Sequence, residues 1–273
     1  KKIYLNFNST NDSNLIRNIF PETFNKFYNY LKKSKIKYLI LLGDRYEILS
    51  IALCSFFLKI PIIHLYGGET TLGSMDNVSR DIISKISKVH LVSNKKYKIK
   101  LKKMGIEDKK IHVIGSLAID NIIESRKKRK YLDEKNHLKE KYFKKNILVT
   151  FHPATLENVG YNNQVKNLLR ALSKFNNIGI IFTSTNFDPG GNQISKQIKK
   201  FIKKNKNSFM VKSLGGEEYY YLMEKVDCVV GNSSSGIMEA PFLNTPTLNI
   251  GNRQKGRLMS KSIISTSYNY LPI

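Results

Sequence analysis

A cluster of small hydroxyl residues lies between an apolar run and a helix start in the C-terminal half of the sequence. The apolar run Cys228–Val230 is typical of a buried strand, and it stops at Gly231. Ser233 and Ser234 then precede Ile237–Ala240, which predicts the start of a helix. The free N–H groups and the positive dipole end of such a helix attract anions. The spacing predicts a phosphate site, although the same junction also occurs as a purely structural turn.

A cation follows the next apolar run in the same stretch. Thr247–Ile250 predicts a strand that ends at Gly251, and Arg253 comes two residues later. We expect the two strand ends to place this cation beside the hydroxyl cluster. Glu239, near the start of the predicted helix, either stabilises that helix electrostatically or accepts hydrogen bonds from ribose hydroxyls.

Charged residues also follow a predicted strand in the N-terminal half. Asp44 and Arg45 come directly after the apolar run Tyr38–Leu42 and Gly43. Ligands of open α/β sheets bind beyond the carboxyl ends of the strands, so both side chains are candidates for a site. Asp44 could alternatively be only the N-cap of the helix that follows.

The segment His64–Asp76 combines glycines with two carboxylates, Glu69 and Asp76. Glycines allow the backbone to approach a ligand closely. Two carboxylates that lie near each other can have their pKa values pushed apart, which supplies an acid and a base near neutral pH. The structural alternative is a polar loop followed by a helix that Asp76 caps.

Two further candidate positions follow strands in the C-terminal half. His152 comes after Ile147–Phe151, where we expect it to face an inter-domain cleft and to bind phosphate or shuttle a proton. A lone histidine is alternatively structural. Asn186 and Asp188 follow the predicted strand Gly179–Thr183, and they could be simple turn formers.

Strands and helices alternate along the chain, which is typical of parallel sheets covered on both faces. The polar segment Glu124–Lys145 interrupts this alternation and is the predicted linker. We therefore predict an α/β fold of two Rossmann-like domains with a ligand cleft between them. The predicted boundaries are residues 1–124, a linker over 125–145, and residues 146–273. The further predicted strands are Pro61–Leu65, Val89–Ser93, Ile111–Ile114 and Phe209–Val211, and the predicted helices are Tyr46–Leu58, Val78–Ser87, Lys95–Met104, Gln164–Lys174, Gln193–Lys204 and Glu217–Lys225.

The composition narrows the class of protein. The 273 residues carry a net charge of +25, which is typical of nucleic-acid-binding proteins. Lys, Ile, Asn, Tyr and Phe are abundant together, which indicates a global residue bias, and no nucleic-acid-binding motif is present. Both cysteines, Cys54 and Cys228, sit in apolar runs, so we expect neither disulfides nor a Cys-rich zinc site.

Several common sites lack their motifs in this sequence. The five histidines are dispersed, and none pairs with Cys or Glu at ligand spacing, so we expect no metal site. Neither a Walker loop, a GxGxxG fingerprint nor a Gly-x-Ser-x-Gly elbow occurs. No secretory signal and no membrane-spanning apolar run is present, so we expect a soluble, cytoplasmic protein. The chain starts at Lys1 in a strand-like stretch and ends at Leu271–Ile273 without a closing helix, so we expect a segment of a longer protein.

Five ordered motifs, spread over almost the whole chain, resemble one family. They are GDRYE, HLYGGETTLGSMD with a following Arg, TFHPATLE, GNSSSGIMEAP and NTPTLNIGNRQKGR. The family is the hydrolysing UDP-N-acetylglucosamine 2-epimerases, which are related to the non-hydrolysing epimerases and to GT-B glycosyltransferases. The resemblance implies a GT-B-like fold and release of UDP and N-acetylmannosamine for sialic or related nonulosonic acid synthesis. A similar branch acts on a UDP-linked 2,4-diacetamido-2,4,6-trideoxy sugar for legionaminic acid.

The resemblance also implies a mechanism without metal or NAD, and hence no cofactor. A base removes the C2 proton and UDP leaves C1 to give a glycal; water then adds at C1 and C2 is reprotonated on the opposite face. Asp44 and Asp76 match family catalytic carboxylates. Some members carry a catalytic Glu where this chain has Tyr66, so Glu69 or Asp76 would take over. The positions that match UDP or sugar contacts are Arg45, His152, Asn186, Ser233, Ser234, Glu239 and Arg253.

The expected partners follow from the same resemblance. We expect a UDP-sugar substrate and a homo-oligomer, and neither a membrane nor a nucleic acid as partner. Two alternatives stay open at this point. A GT-B glycosyltransferase would keep the UDP site without needing Asp44 and Asp76, and a non-enzymatic nucleotide- or nucleic-acid-binding module would use the basic surface.

Overall fold

The computed structural model describes residues 3, 15–72, 74–135, 138, 141–154, 160–185, 190–211 and 214–268. The chain divides into two compact units, Lys1–Ser116 and Leu117–Ile273. Each unit holds one parallel sheet with helices, as predicted from the alternating pattern. The predicted strand at the start of the chain lies almost entirely outside the described residues, as do Asn186 and Asp188.

Unit 1 contains a four-stranded parallel sheet whose strands alternate with helices. In chain order the elements are α1 Leu15–Lys32, β1 Leu39–Leu42, α2 Tyr46–Phe57, β2 Ile62–Leu65, α3 Asp76–Ile86, β3 Val89–Val92, α4 Lys95–Lys103 and β4 Ile111–Val113. The strand order is β1-β2-β3-β4, and a short 3-10 turn over Asp108–Lys110 precedes β4.

The core of unit 1 forms where apolar stripes of the helices meet the sheet. Leu41 and Ile62 of adjacent strands pack with Ala52 of α2 and Ile83 of α3, all nearly inaccessible to water. Burial of a leucine or isoleucine side chain stabilises a fold by about 1.5–3 kcal/mol. This packing fixes β1, β2 and α3 relative to one another, and the loops that follow the two strands carry the predicted carboxylates.

Unit 2 contains a six-stranded parallel sheet with helices. Its elements are α5 Leu117–Lys127, α6 Arg129–Lys135, β5 Lys145–Thr150, α7 Tyr161–Leu172, β6 Ile178–Thr183, α8 Gly191–Lys204, β7 Ser208–Val211, α9 Gly215–Lys225, β8 Cys228–Gly231, α10 Ser235–Met238, β9 Thr247–Ile250 and β10 Ile263–Thr266. The strand order is β10-β9-β8-β5-β6-β7. Successive residues of the central strand β5 face opposite sides, because side chains alternate along a strand. Val149 packs into a cluster with α7 and α8, while Leu148 packs into a second cluster with α9.

The segment predicted as a linker differs from expectation. Its first part forms α5 and α6, and the division between the units comes after Ser116 rather than at residue 124. Ile122 is fully buried, and Ser125 donates a hydrogen bond to the Glu217 carbonyl of α9 at 3.1 Å. Arg126 pairs with Glu224 of α9 at 2.6 Å. The segment looks like a polar linker in the sequence because the α9 carboxylates that pair with its cations lie far away along the chain.

The other predicted strands and helices agree with the structure to within a few residues. Helix α1 and strand β10 were not predicted. Within the described residues, no helix is both long and apolar enough to cross a membrane. The same residues contain no cluster of three or more His, Cys, Asp or Glu side chains suited to a metal ion.

Candidate active site

The carboxylate of Asp44 lies at the carboxyl end of β1 and accepts a hydrogen bond from Arg80 of α3. The side chain of Asp44 keeps 21% of its surface exposed, whereas that of Arg80 is only 2% exposed. The alternative role of Asp44 as an N-cap is not observed, since Arg45 occupies the N-cap position of α2 and makes no side-chain cap bond. Asp44 is therefore held by a buried cation from another element.

The guanidinium of Arg80 connects three parts of unit 1. Besides Asp44, it donates to the carbonyl of Glu69 at 2.9 Å and to the hydroxyl of Thr71 at 3.1 Å. A planar guanidinium can serve several acceptors at once, which a lysine cannot do. Sequence analysis assigned no role to Arg80. Its signals are its place in the family motif after Asp76 and its spacing of one helical turn from that residue.

The two other predicted carboxylates differ in accessibility. Glu69 is 3% exposed, and its carboxylate accepts a hydrogen bond from Ser93 at 3.0 Å. Asp76 is half-buried at the first turn of α3, where Ser74 donates to its carboxylate at 2.8 Å. The backbone N–H of Asp76 donates back to the Ser74 hydroxyl at 3.3 Å. The structure thus gathers Asp44 and the Glu69–Thr71 loop around Arg80 and places Asp76 on the same helix as Arg80.

His64 supports the turn that carries Asp44. Its Nε2 lies 3.2 Å from the carbonyl of Gly43, and its Nδ1 lies 3.2 Å from the hydroxyl of Ser84. A carbonyl can only accept, so Nε2 carries the proton and Nδ1 accepts from Ser84. Burial lowers the pKa of His64 to about 4, so the ring is neutral at physiological pH. Tyr66, two residues later, has a left-handed backbone with φ of 65°, which is strained for an aromatic residue.

Arg45 makes local contacts with the first turn of α2. Its guanidinium donates to both carboxylate oxygens of Glu47 at 3.1 and 3.2 Å and lies over the ring of Tyr46. It is half-buried in this local arrangement.

The side chain of Asn232 joins two adjacent strand ends in unit 2. Its Oδ1 accepts from the backbone N–H of His152 at 2.8 Å, and its Nδ2 donates to the carbonyl of His152 at 2.8 Å. The carbonyl of Asn232 in turn accepts from Arg253 at 3.2 Å and from Gln254 at 2.9 Å. Asn232 is fully buried. Three segments with predicted UDP contacts, those of His152, Ser233 and Arg253, therefore meet at a residue to which sequence analysis assigned no role.

The structure of the serine cluster, which consists of Ser233, Ser234 and Ser235, differs from the prediction. Helix α10 has only four residues, so few peptide dipoles align behind it and a helix-dipole anion site is not formed. Ser234 occupies the N-cap position without a side-chain cap bond. The hydroxyl of Ser233 instead accepts from the Ser235 hydroxyl at 2.9 Å. Any anion at this edge would be bound by hydroxyls and cations rather than by a helix dipole.

Glu239 and Asn186 are the last two predicted contacts of UDP or the sugar. The prediction that Glu239 lies near a helix start and stabilises it is wrong, because Glu239 is the half-buried C-cap of α10 and its backbone N–H donates to the Ser235 carbonyl at 3.0 Å. Asn186 lies outside the described residues.

The arrangement of this chain can be compared with known proteins. The model of the family described as UDP-N-acetylglucosamine 2-epimerase matches residues 1–272. The chain belongs to the UDP-N-acetylglucosamine 2-epimerase family. Among curated members of the family, the GDP/UDP-N,N'-diacetylbacillosamine 2-epimerase (hydrolyzing) of Campylobacter jejuni is 39% identical over 91% of this chain and 65% of its own length. The polysialic acid biosynthesis protein P7 of Escherichia coli is 35% identical over 97% of this chain and 67% of its own length.

Solved structures of the family share the fold. The UDP-GlcNAc 2-epimerase of Methanocaldococcus jannaschii, in complex with UDP-GlcNAc and UDP, superposes with a TM-score of 0.82 at 20% identity over 99% of this chain and 75% of that chain. The enzyme of Neisseria meningitidis bound to UDP-GlcNAc gives a TM-score of 0.74 at 20% identity over 90% of this chain and 66% of that chain. The predicted GT-B-like α/β fold is thereby confirmed. The chain spans about two thirds of the length of the curated relatives it matches.

Proposed function

We propose that this member of the epimerase family is a hydrolysing 2-epimerase, which releases UDP from a UDP-linked 2-acetamido sugar and inverts the configuration at C2. The observation that carries the proposal is the bond from Arg80 to Asp44. It ties a partly exposed carboxylate at a strand end to the Glu69–Thr71 loop and to the helix that begins at Asp76. Inversion at C2 requires removal of a proton and its return on the opposite face, for which positioned carboxylates are suited.

The proposed reaction proceeds in two stages. The C2–H bond breaks as the proton passes to a carboxylate, and the C1–O bond breaks with its electron pair moving to the diphosphate of UDP. The glycal then takes up one water, whose OH adds at C1 while a proton adds at C2 on the opposite face. We assign the proton transfers to Asp44 and Asp76. Glu69, buried and bonded to Ser93, supports the loop in this proposal.

The strand-end cluster of unit 2 is the proposed site for UDP. His152, Ser233 and Arg253 are held near one another through Asn232. Hydroxyl donors and a guanidinium placed where charge develops on a leaving diphosphate lower the barrier to its departure. Glu239 is the proposed ribose contact, as acidic residues are in dinucleotide folds.

Two sugars are candidate substrates. UDP-N-acetylglucosamine, which would yield N-acetylmannosamine for sialic or related nonulosonic acid synthesis, agrees with the family and with the polysialic acid relative. The diacetamido sugar of the Campylobacter jejuni relative, at 39% identity, and of the Legionella pneumophila enzyme, at 32%, favours UDP-N,N'-diacetylbacillosamine as the second candidate.

The decisive experiment is incubation with each UDP-sugar in D2O without metal or acceptor. The proposal expects free UDP and the C2-epimeric free sugar with one deuterium at C2, both visible by NMR. Release of UDP only after addition of an acceptor would instead identify a glycosyltransferase. Binding to nucleic acid that falls steeply with salt, together with no turnover, would identify a binding module.

A further inference from the structure

The phenol of Tyr219 connects the end of the sheet in unit 2 to the serine cluster. Its oxygen lies 2.7 Å from the hydroxyl of Ser235, and the Ser235 hydroxyl donates to that of Ser233 at 2.9 Å. On its other side, Tyr219 lies 3.4 Å from the hydroxyl of Thr150, which accepts from Thr183 at 3.0 Å. One line of hydrogen-bonded hydroxyls thus connects α9, the residues that follow β8, and the ends of strands β5 and β6.

The direction of this line follows from counting hydrogens. Each hydroxyl has a single hydrogen, and Ser235 uses its own toward Ser233. Ser235 must therefore accept from Tyr219, so the phenol donates toward the serine cluster. Burial raises the pKa of Tyr219, which keeps the phenol protonated as a donor.

The direction of this line determines how the hydroxyl of Ser233 is oriented. Its oxygen accepts from the Ser235 hydroxyl and, at 3.4 Å, from the Ser235 backbone N–H. With its oxygen so occupied, the Ser233 hydrogen is directed to another acceptor, and donors in a hydrogen-bonded series polarise one another. In the reverse direction Ser233 would present a lone pair, which repels an anion.

We propose that Tyr219 is a positioning residue that orients the Ser233 hydroxyl as a donor to the diphosphate of UDP. This inference rests on the proposed function, because it takes UDP as the ligand of the serine cluster. Tyr219 acts through Ser235 and need not touch the phosphate itself.

The test compares affinities for UDP, uridine and inorganic pyrophosphate by calorimetry. Tyr219→Phe and Ser235→Ala should each weaken UDP binding roughly three- to tenfold, the contribution of one hydrogen bond, and leave uridine binding unchanged. The double variant should bind UDP no more weakly than either single variant, because both break the same line. Tyr221→Phe is the matched control, since Tyr221 lies on the same helix and its hydroxyl bonds to Asp133 instead.

Each outcome of this experiment either supports or overturns the positioning role of Tyr219. Wild-type UDP affinity in Tyr219→Phe, an equal loss for uridine, or an equal loss in Tyr221→Phe would overturn the positioning role while leaving the proposed function intact. Failure of the wild-type protein to bind either UDP or pyrophosphate would overturn both. If Tyr219→Phe does not fold, Ser235→Ala alone gives the comparison between UDP and uridine.

Discussion

The buried guanidinium of Arg80 holds the carboxylate of Asp44 and also the Glu69–Thr71 loop. The Asp44 carboxylate and the Glu69–Thr71 loop therefore both depend on one cation, whose side chain is 2% exposed. Loss of one partner from a buried ion pair is costly because the remaining charge stays desolvated.

Replacement of Arg80 by Lys should lower both the turnover and the stability of the protein. A single ammonium cannot serve Asp44, the Glu69 carbonyl and Thr71 together. We expect a loss of about 1–3 kcal/mol in unfolding free energy and at least about tenfold in kcat, with UDP affinity retained. Arg126→Lys is the control, because Arg126 is 40% exposed and its ion pair with Glu224 lies in unit 2, away from Asp44. Equal kcat in the two variants would contradict the role of Arg80.

Asp44→Asn and Asp76→Asn should each reduce turnover by about 100-fold or more, since an amide cannot take up a proton. UDP affinity should stay within about twofold, because both residues lie in unit 1 and the proposed UDP contacts lie in unit 2. Steady-state kinetics and calorimetry measure the two quantities. Asp108→Asn controls for charge loss at an exposed ion pair. Unchanged turnover in both variants would exclude the proton-transfer assignment.

Asn232→Ala should weaken UDP binding, because it releases the His152 segment from the serine cluster. The loss of two hydrogen bonds at a fully buried position should also cost about 2 kcal/mol of stability. Asn146 offers a matched control at the opposite end of β5, where its side chain bonds both the N–H and the carbonyl of Phe143. Asn146→Ala should lose similar stability but keep UDP affinity. Urea titration and calorimetry separate the two effects.

Gly231→Ala should destabilise unit 2 by about 3 kcal/mol or more. Gly231 has φ of +139°, and an added Cβ would lie 2.0 Å from the Thr150 carbonyl oxygen of the adjacent strand. Gly215→Ala in the same unit has positive φ but open space, so only the conformational cost of about 1–2 kcal/mol applies. Urea unfolding of both variants tests this difference. Similar midpoints would show that the close approach of β5 and β8 relaxes easily.

Stability should fall as the pH drops from about 6.5 toward 4. The pKa of both His64 and His90 is lowered to about 4, chiefly by burial and, for His90, also by repulsion from His64. The unfolded chain binds these protons near pH 6.5 and the folded chain does not, so the stabilisation is complete above pH 6.5 and is lost below it. At about 1.4 kcal/mol per pKa unit, the two rings together cost several kcal/mol by pH 4. His90→Leu should reduce this slope in urea titrations at pH 7.5, 6 and 5, and an identical slope would contradict the assignment.

The sequence by itself determined the alternation of strands and helices, the two parallel sheets, the positions of Asp44 and Ser233 after strand ends and the position of Asp76 at a helix start. These features depend on local patterns, in which apolar runs form strands and the polar residues after them face the carboxyl edge. The family motifs are likewise local and ordered along the chain.

Only the tertiary structure decided which side chains meet. Arg80 reaches Asp44 across 36 positions and Asn232 reaches His152 across 80, and neither pairing has a local signature. The same holds for the end of α5, where Arg126 and the following Lys128 pair with Glu224 and Glu217 of α9. The brevity of α10 also escaped the sequence, because hydroxyl residues favour a helix start without setting its length. Sequence pattern thus located the candidate residues, whereas contacts between distant segments, which depend on the packing of the whole unit, determined which of them lie together.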